Sequence, residues 1–421
     1  MSSGSRAHIV FLQGMPSPFF RRVGVCLVEA GWRVTRINLS AGDWLFWHDD
    51  HAINYRGSLA DWPAFLHDFF QREGVSDLFL LGEQRRYHKE AVAIAKGLGI
   101  RVTVTDFGYL RPDWITLERD GMCGNSHFPK DAQSIHAIAR QAVVLDWEQR
   151  FVDSAYQMAV GDLAQNYANI LGWPFFPRYQ RSDMRPPTIL YTMASGWRLL
   201  GNRLRKTRTL AQCEELWNSG RSYYLFPIQL NFDFQMVAYS PFPRMETALE
   251  LVLDSFLRCA PRDALLVVKE HPWDPALPDW ERYLHRRRRE LQVEDRLVYL
   301  RGGDLNGLIQ RSRGVVLVNS STGLRALQLH RPLKALGSAV FDVPGLTFQG
   351  SLDDFWTQGT PPDPQLREDF FTALAATVQV RGVFFQEPGV TEAVTETCYR
   401  LRTHTVGKLV YPHRSKGEMA W

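Results

Sequence analysis

Between Leu265 and Gly323 the chain carries two short apolar runs, Leu265–Val268 and Gly314–Val318, and each stops abruptly in polar residues. Runs of this length and β-branched content read as buried strands of a parallel sheet. Lys269, Glu270, His271 and Pro272 follow the first run. Asn319, Ser320, Ser321 and Thr322 follow the second, ahead of Gly323 and a helical pattern that begins near Leu324. A core does not want such residues. An open α/β sheet, however, binds ligands beyond the carboxyl ends of its strands, and a helix start offers unpaired backbone N–H groups to an anion. The two runs are expected to be neighbours in one sheet, so that their polar tips share a crevice and hold a phosphate there. Taken singly, a Ser/Thr cluster before a helix is more often a simple cap, and a His-Pro pair a turn; the argument rests on the two together. Neither GxxxxGK[ST] nor GxGxxG occurs, which sets a P-loop aside and weakens a dinucleotide site.

At 421 residues the chain exceeds one ordinary core, and about two domains are expected. A net charge of +4 does not call for nucleic acid as a partner. No run approaches the roughly 18 apolar residues that cross a bilayer, and MSSGSRAHIV lacks the apolar centre of a signal peptide, so a cytoplasmic location is expected. The five cysteines, Cys26, Cys123, Cys213, Cys259 and Cys398, show no CxxC and no metal-ligand spacing; reduced thiols are expected.

The first half alternates strand and helix: His8–Leu12, Phe19–Ala30, Trp32–Leu39, Trp62–Glu73, Ser76–Leu81, His88–Leu98 and Arg101–Thr105. This is a βαβ pattern, hence a Rossmann-like domain. Gln13, Gly14, Asp43, Arg85, His88, Asp106, Arg111 and Glu118 are the polar residues it offers at strand ends. Many of them could equally cap or turn the chain, as Arg111-Pro112 does in sequence. Residues 131–171 are helical, and a Pro- and Arg-rich stretch, Pro174–Pro187, marks a boundary. Trp197–Leu210 then holds Arg198, Arg203, Arg205, Lys206 and Arg208 without an acid, interleaved with leucines. A basic amphipathic helix of this kind suits an anionic membrane surface, or it is a solvated face.

Tyr223–Leu230 opens a second Rossmann-like half and ends near Gln229, Asn231 and Asp233. The expected division is 1–175 for an acceptor-side domain and 176–222 for a linker with the basic helix. A nucleotide-binding domain at 223–360 and a helical tail at 361–421 that braces the first domain complete it. Two such halves with polar strand ends facing a cleft form the arrangement of GT-B glycosyltransferases.

The residues also resemble a known family, the capsule-polysaccharide β-Kdo transferases. The stretches that carry the likeness include FLQGMPSPFFRRVG, INLSAGDWLFW, DFGYLRPDWITLE, PIQLNFDFQ, VVKEHPWD, RGGDLNGLI, VNSSTGLRAL and VPGLTFQGSLDDFW, across residues 8 to 390 or so. The resemblance implies a retaining transfer of Kdo from CMP-Kdo to a phosphatidylglycerol-type lipid, or to a Kdo-lipid, at the inner face of the cytoplasmic membrane. His271-Pro272 and Ser320-Ser321-Thr322 match the family's motifs for the CMP phosphate and ribose. Gln229 and Asp233 match the motif whose acid acts at the anomeric carbon. The family usually has a second acid where this chain has Asn231.

Charge collects on one phosphate as CMP leaves, and a cage of Lys269, His271, Ser320, Ser321 and backbone N–H groups can hold it, with Asn319, Thr322, Pro272 and Gly303 at its border. Asp233 would be the nucleophile of a double displacement, and His88 or Glu118 a base for the acceptor hydroxyl. No paired-acid metal site stands out, so neither a metal nor another cofactor is expected. Other capsule proteins are conceivable partners. Two alternatives keep the same fold: a CDP-glycerol-type glycerophosphotransferase, and a non-enzymatic capsule assembly or export protein.

Overall fold

The computed structural model describes residues 7–143, 145–181, 185–274, 279–293 and 295–409. Its described residues fall into two compact units. Unit 1 takes those of Met1–Pro129, Gln133–Asp183 and Asp369–Trp421; unit 2 takes those of Lys130–Ala132 and Met184–Glu368.

In chain order unit 1 begins with β1 (His8–Phe11), α1 (Phe19–Glu29), β2 (Arg33–Asn38), α2 (Ala41–Phe46), β3 (Ala52–Asn54) and α3 (Trp62–Arg72). It continues with β4 (Asp77–Leu81), α4 (Arg86–Gly97), β5 (Arg101–Phe107), β6 (Trp114–Arg119), α5 (Ala132–Gln141) and α6 (Ala155–Leu171). Unit 2 comprises α7 (Thr188–Asn218), β7 (Tyr223–Pro227), α8 (Phe234–Tyr239), α9 (Met245–Cys259), β8 (Leu265–Lys269) and α10 (Trp280–Leu291). Then come β9 (Leu297–Leu300), α11 (Leu305–Arg311), β10 (Gly314–Leu317), α12 (Thr322–Gln328), β11 (Leu333–Ala335) and α13 (Leu352–Gln358). The chain returns through α14 (Pro364–Thr377) to β12 (Gln379–Arg381) and α15 (Gly389–Thr403) of unit 1.

The sheet of unit 1 runs β12-β6-β5-β4-β1-β2-β3, parallel from β3 to β5 and antiparallel at β6 and β12. Its central strands are buried on both faces, which is why His8–Phe11 and Asp77–Leu81 read as unbroken apolar runs. The C-terminal return completes this core. Phe384 packs edge-on to Phe19 at 5.0 Å, and Cys398 of α15 forms a disulfide with Cys26 of α1. Cys26 and Cys398 are therefore not the free thiols expected; 372 residues separate them, and only the fold brings them together.

Unit 2 is an open, fully parallel sheet of order β11-β10-β7-β8-β9. Phe226, Leu249, Phe256, Val268 and Trp356 lie in one buried cluster beneath it. Both units thus have the α/β, Rossmann-like build that the strand-helix alternation implies. The expected linker does not stand apart: its described residues up to Arg181 stay with unit 1, while α7 belongs to unit 2, where Thr209, Cys213 and Leu216 are buried. The return to unit 1 begins at Asp369 rather than 361.

Candidate functional site

The two polar-tipped runs are β8 and β10, and they are not neighbours: β7 lies between them. The chain steps outward from β7 to β8 to β9, then crosses over through α11 to place β10 on the opposite side of β7. All three carboxyl ends still share one edge. The reversal creates a topological switch point between β7 and β10, where an open sheet leaves a crevice.

Gln229 spans that point. Its Nε2 donates to Asn319 Oδ1 at 3.0 Å, and its Oε1 accepts the Asn319 backbone N–H at 3.1 Å. Both residues are buried, so this two-way bond fixes the loop after β7 to the loop after β10. Beyond Asn319, Ser320 Oγ accepts the Thr322 backbone N–H at 3.2 Å and lies 3.1 Å from Thr322 Oγ1, while Ser321 is exposed where α12 starts. Gly323 is required there, since a Cβ would sit 2.4 Å from the Phe341 ring.

Asp233 immediately precedes α8. Its N–H donates to the Leu230 carbonyl at 3.0 Å, its own carbonyl accepts from Val237 at 2.9 Å, and its side chain is half-buried. The nearby Asn231 has a structural role, in which Oδ1 accepts the Met245 N–H at 2.6 Å at the start of α9, and Nδ2 donates to Glu246 at 3.1 Å. A carboxylate at 231 would face Glu246 with like charge, which accounts for Asn at this position.

At the end of β8, His271 is half-buried, and its Nδ1 accepts the Trp273 N–H at 3.2 Å. The neutral ring then carries its proton on Nε2, a donor suited to a phosphate oxygen. Pro272 is exposed beside it. Lys269 does not join the cage: it is 6% exposed and donates to the Glu270 carbonyl at 3.3 Å, and burial lowers its pKa. Its side chain is enclosed because alternate strand residues face opposite sides. Gly303 has a packing role: at φ +92 its missing Cβ lets the loop approach Cys213 of α7, which a Cβ would meet at 2.6 Å.

Sequence reasoning gave Glu270 no role, although it stands between Lys269 and His271. It is 2% exposed, and it accepts from Arg198 of α7 and from the Tyr299 hydroxyl of β9. Burial pushes its carboxyl up to about 7, against the pull of Arg198. Its sequence neighbours gave no sign of this, because Arg198 and Tyr299 reach it from other elements.

In unit 1 the strand-end residues mostly brace the sheet. Asp43 is 1% exposed; it accepts from Gln13 Nε2 at 3.0 Å and from the Leu39 N–H at 3.0 Å, and pairs with buried Arg36 at 3.4 Å. A Cβ on Gly14 would lie 2.4 Å from the Phe20 ring. His88 is fully buried, its Nδ1 bonding the carbonyls of Leu81 at 2.8 Å and Gly82 at 3.0 Å. Burial first, then Arg85, lowers its pKa to about 3, so the base role is not supported: so weak a base, closed off from solvent, takes no proton from an acceptor. Nor is Glu118 placed for that role. It is 1% exposed on β6 and holds the hydroxyls of Tyr109, at 2.7 Å, and Ser126. Arg85, Asp106 and Arg111 do come together. Burial raises the Asp106 pKa while both guanidinium groups draw it down, and Arg111 lies 5.0 Å from the centre of the Phe107 ring.

The family model described as "Capsule polysaccharide biosynthesis protein" matches residues 76–385. The Escherichia coli "Capsule polysaccharide export protein KpsS" is 28% identical over 385 residues, which cover 89% of this chain and 96% of that protein. The Neisseria meningitidis serogroup A "Capsule polysaccharide modification protein LipB" is 27% identical over 91% of this chain and 93% of its own. Among solved structures, the β-Kdo 2,7 transferase part of Thermosulfurimonas dismutans KpsC aligns over 95% of this chain and 99% of that one at 12% identity, with a TM-score of 0.46. With the model spanning most of its length, the chain belongs to the capsule polysaccharide biosynthesis protein family.

Proposed function

We propose that the protein is a retaining glycosyltransferase that moves Kdo from CMP-Kdo to a phosphatidylglycerol-type lipid, or a Kdo-lipid, during capsule synthesis. The observation that carries this reading is the Gln229–Asn319 pair at the switch point of unit 2. It fixes the loop bearing Asp233 relative to the turn bearing Ser320, Ser321 and Thr322, on the edge where His271 stands.

In this mechanism the departing CMP phosphate is met by His271 Nε2–H and by the Ser321 hydroxyl, donors whose positions precede the reaction. Asp233 attacks the anomeric carbon as the C–O bond to phosphate breaks, giving a sugar ester; the acceptor hydroxyl then displaces Asp233, its proton passing to the released Asp233 carboxylate, so two inversions retain configuration. The phosphate is held without a metal. Arg85, Asp106 and Arg111 are the unit 1 groups proposed to meet an acceptor. The protein would work as a peripheral protein at the inner face of the cytoplasmic membrane; among the described residues no helix is long and apolar enough to cross one.

Purified protein given CMP-Kdo and a phosphatidylglycerol-type acceptor is expected to form Kdo-lipid. Asp233→Asn should reduce that product on the order of 1,000-fold or more, while CMP still raises the melting temperature of the variant. Stabilisation by CDP but not by CMP would redirect the donor to CDP-glycerol. An Asp233→Asn variant as active as wild type would overturn the mechanism.

A further inference from the structure

α7 is a single helix of 31 residues, about 46 Å long. One side of it lies along the candidate site. Tyr191 packs edge-on to Phe232, next to Asp233, with ring centres 5.8 Å apart. Arg198 bonds Glu270, next to His271, and Arg205 bonds Glu281 at 3.0 Å. Thr209, Cys213 and Leu216 are buried against the rest of the unit.

The other side is apolar and open. Ile189 is 57% exposed, Leu190 50%, Met193 60%, Trp197 73% and Leu204 77%. At about 100° per residue these five fall within roughly 100° of the circumference, turned about 150° from Thr209, Cys213 and Leu216. An apolar stripe this long is not left to water without a use. Its charge shows what covers it: from Thr188 to Cys213 the helix has no Asp or Glu, and besides Arg198 and Arg205, which pair with Glu270 and Glu281, it carries Arg203, Lys206 and Arg208. Positions 203 and 208 lie at the two borders of the apolar sector. α6 also exposes apolar residues, Tyr156, Leu163 and Leu171 among them, but has no Lys or Arg, so charge does not identify a partner for it.

From the stripe and its cations we infer that the outer face of α7 binds an anionic lipid surface, lying in its plane with Met193, Trp197 and Leu204 inserted among the acyl chains. Apolar insertion supplies the depth, and the cations at the two borders supply attraction to lipid phosphates. Because the inner face of the same helix touches the loops of Asp233 and His271, docking brings that edge of unit 2 to the bilayer. This gives the lipid acceptor of the proposed reaction an approach, yet it rests on α7 alone and is read without any transfer assay.

The full chain is sedimented with vesicles of phosphatidylcholine, or of phosphatidylcholine and phosphatidylglycerol in equal parts, at low and high salt. Expected is binding at least about tenfold tighter to the anionic vesicles and weakened by salt. Trp197→Glu with Leu204→Glu should abolish binding with an unchanged melting temperature, as both side chains are exposed. Arg203→Gln with Arg208→Gln should weaken binding to anionic vesicles about 25-fold, at roughly fivefold per cation, and leave the residual affinity for neutral ones. Equal affinity for both vesicle types, no binding, or Glu variants that bind like wild type would overturn the inference. So would a concentration-dependent dimer that Trp197→Glu dissolves, since the face would then be a contact between copies.

Discussion

Glu270 is a carboxyl that folding keeps protonated. Its folded value of about 7 lies above the ordinary carboxyl value, so between the two the folded chain holds a proton that the unfolded chain has released. The stability linked to it is full in acid and is lost as pH rises through 7. Glu270→Gln keeps a neutral group of the same shape, and its melting temperature should fall less than that of wild type from pH 5 to 8; parallel curves would mean the proton sits elsewhere. His88 works in the opposite sense. Its value is lowered to about 3, so acid protonates the unfolded chain first, and stability is lost as pH falls below the ordinary imidazole value. His88→Asn retains a donor for the carbonyls of Leu81 and Gly82 and should soften that acid loss between pH 6 and 4, as read by thermal melting. Gln229→Ala removes both bonds to buried Asn319 and should cost about 1–3 kcal/mol, measured by denaturant unfolding.

Elements decide how such residues meet. Gly303 joins the loop after β9 to α7, and Gly303→Ala must fit a Cβ into the space of the Cys213 sulfur at an unfavourable φ. A loss of about 1–3 kcal/mol is expected for unit 2, visible as a lower melting temperature that Cys213→Gly partly restores. The central strands were legible in the sequence because burial on both faces makes them unbroken apolar runs. The antiparallel strands β6 and β12 were not: Trp114–Arg119 is flanked by polar residues, and Gln379–Arg381 is three residues long. Strand order was hidden as well, since nothing local in Gly314–Leu317 records that the crossover carries it past β7. For the site, place was readable where residue type sufficed: His271, Ser320 and Asp233 do stand beyond the carboxyl ends of the second sheet's strands. Direction was not: Lys269 turns inward, Glu118 and His88 are sealed in, and Glu270 acquires its partners from α7 and β9.

At the scale of the molecule, unit 2 is inserted in unit 1: apart from Lys130–Ala132, it takes the described residues between Arg181 and Asp369. CMP should therefore raise one of two calorimetric transitions, that of unit 2, because the residues proposed to hold it all lie there. A chain ending at Glu368 would lack β12 and α15, the partners of β6 and α1, and should lose the unit 1 transition while keeping that of unit 2. The same layout sets an order of events at the ribosome. The inserted unit is complete when Glu368 emerges, whereas the unit that started first must wait, its edge strand unpaired and its first helix uncovered, for the last stretch to be translated. Cells making this protein have to shelter that waiting half for the whole interval.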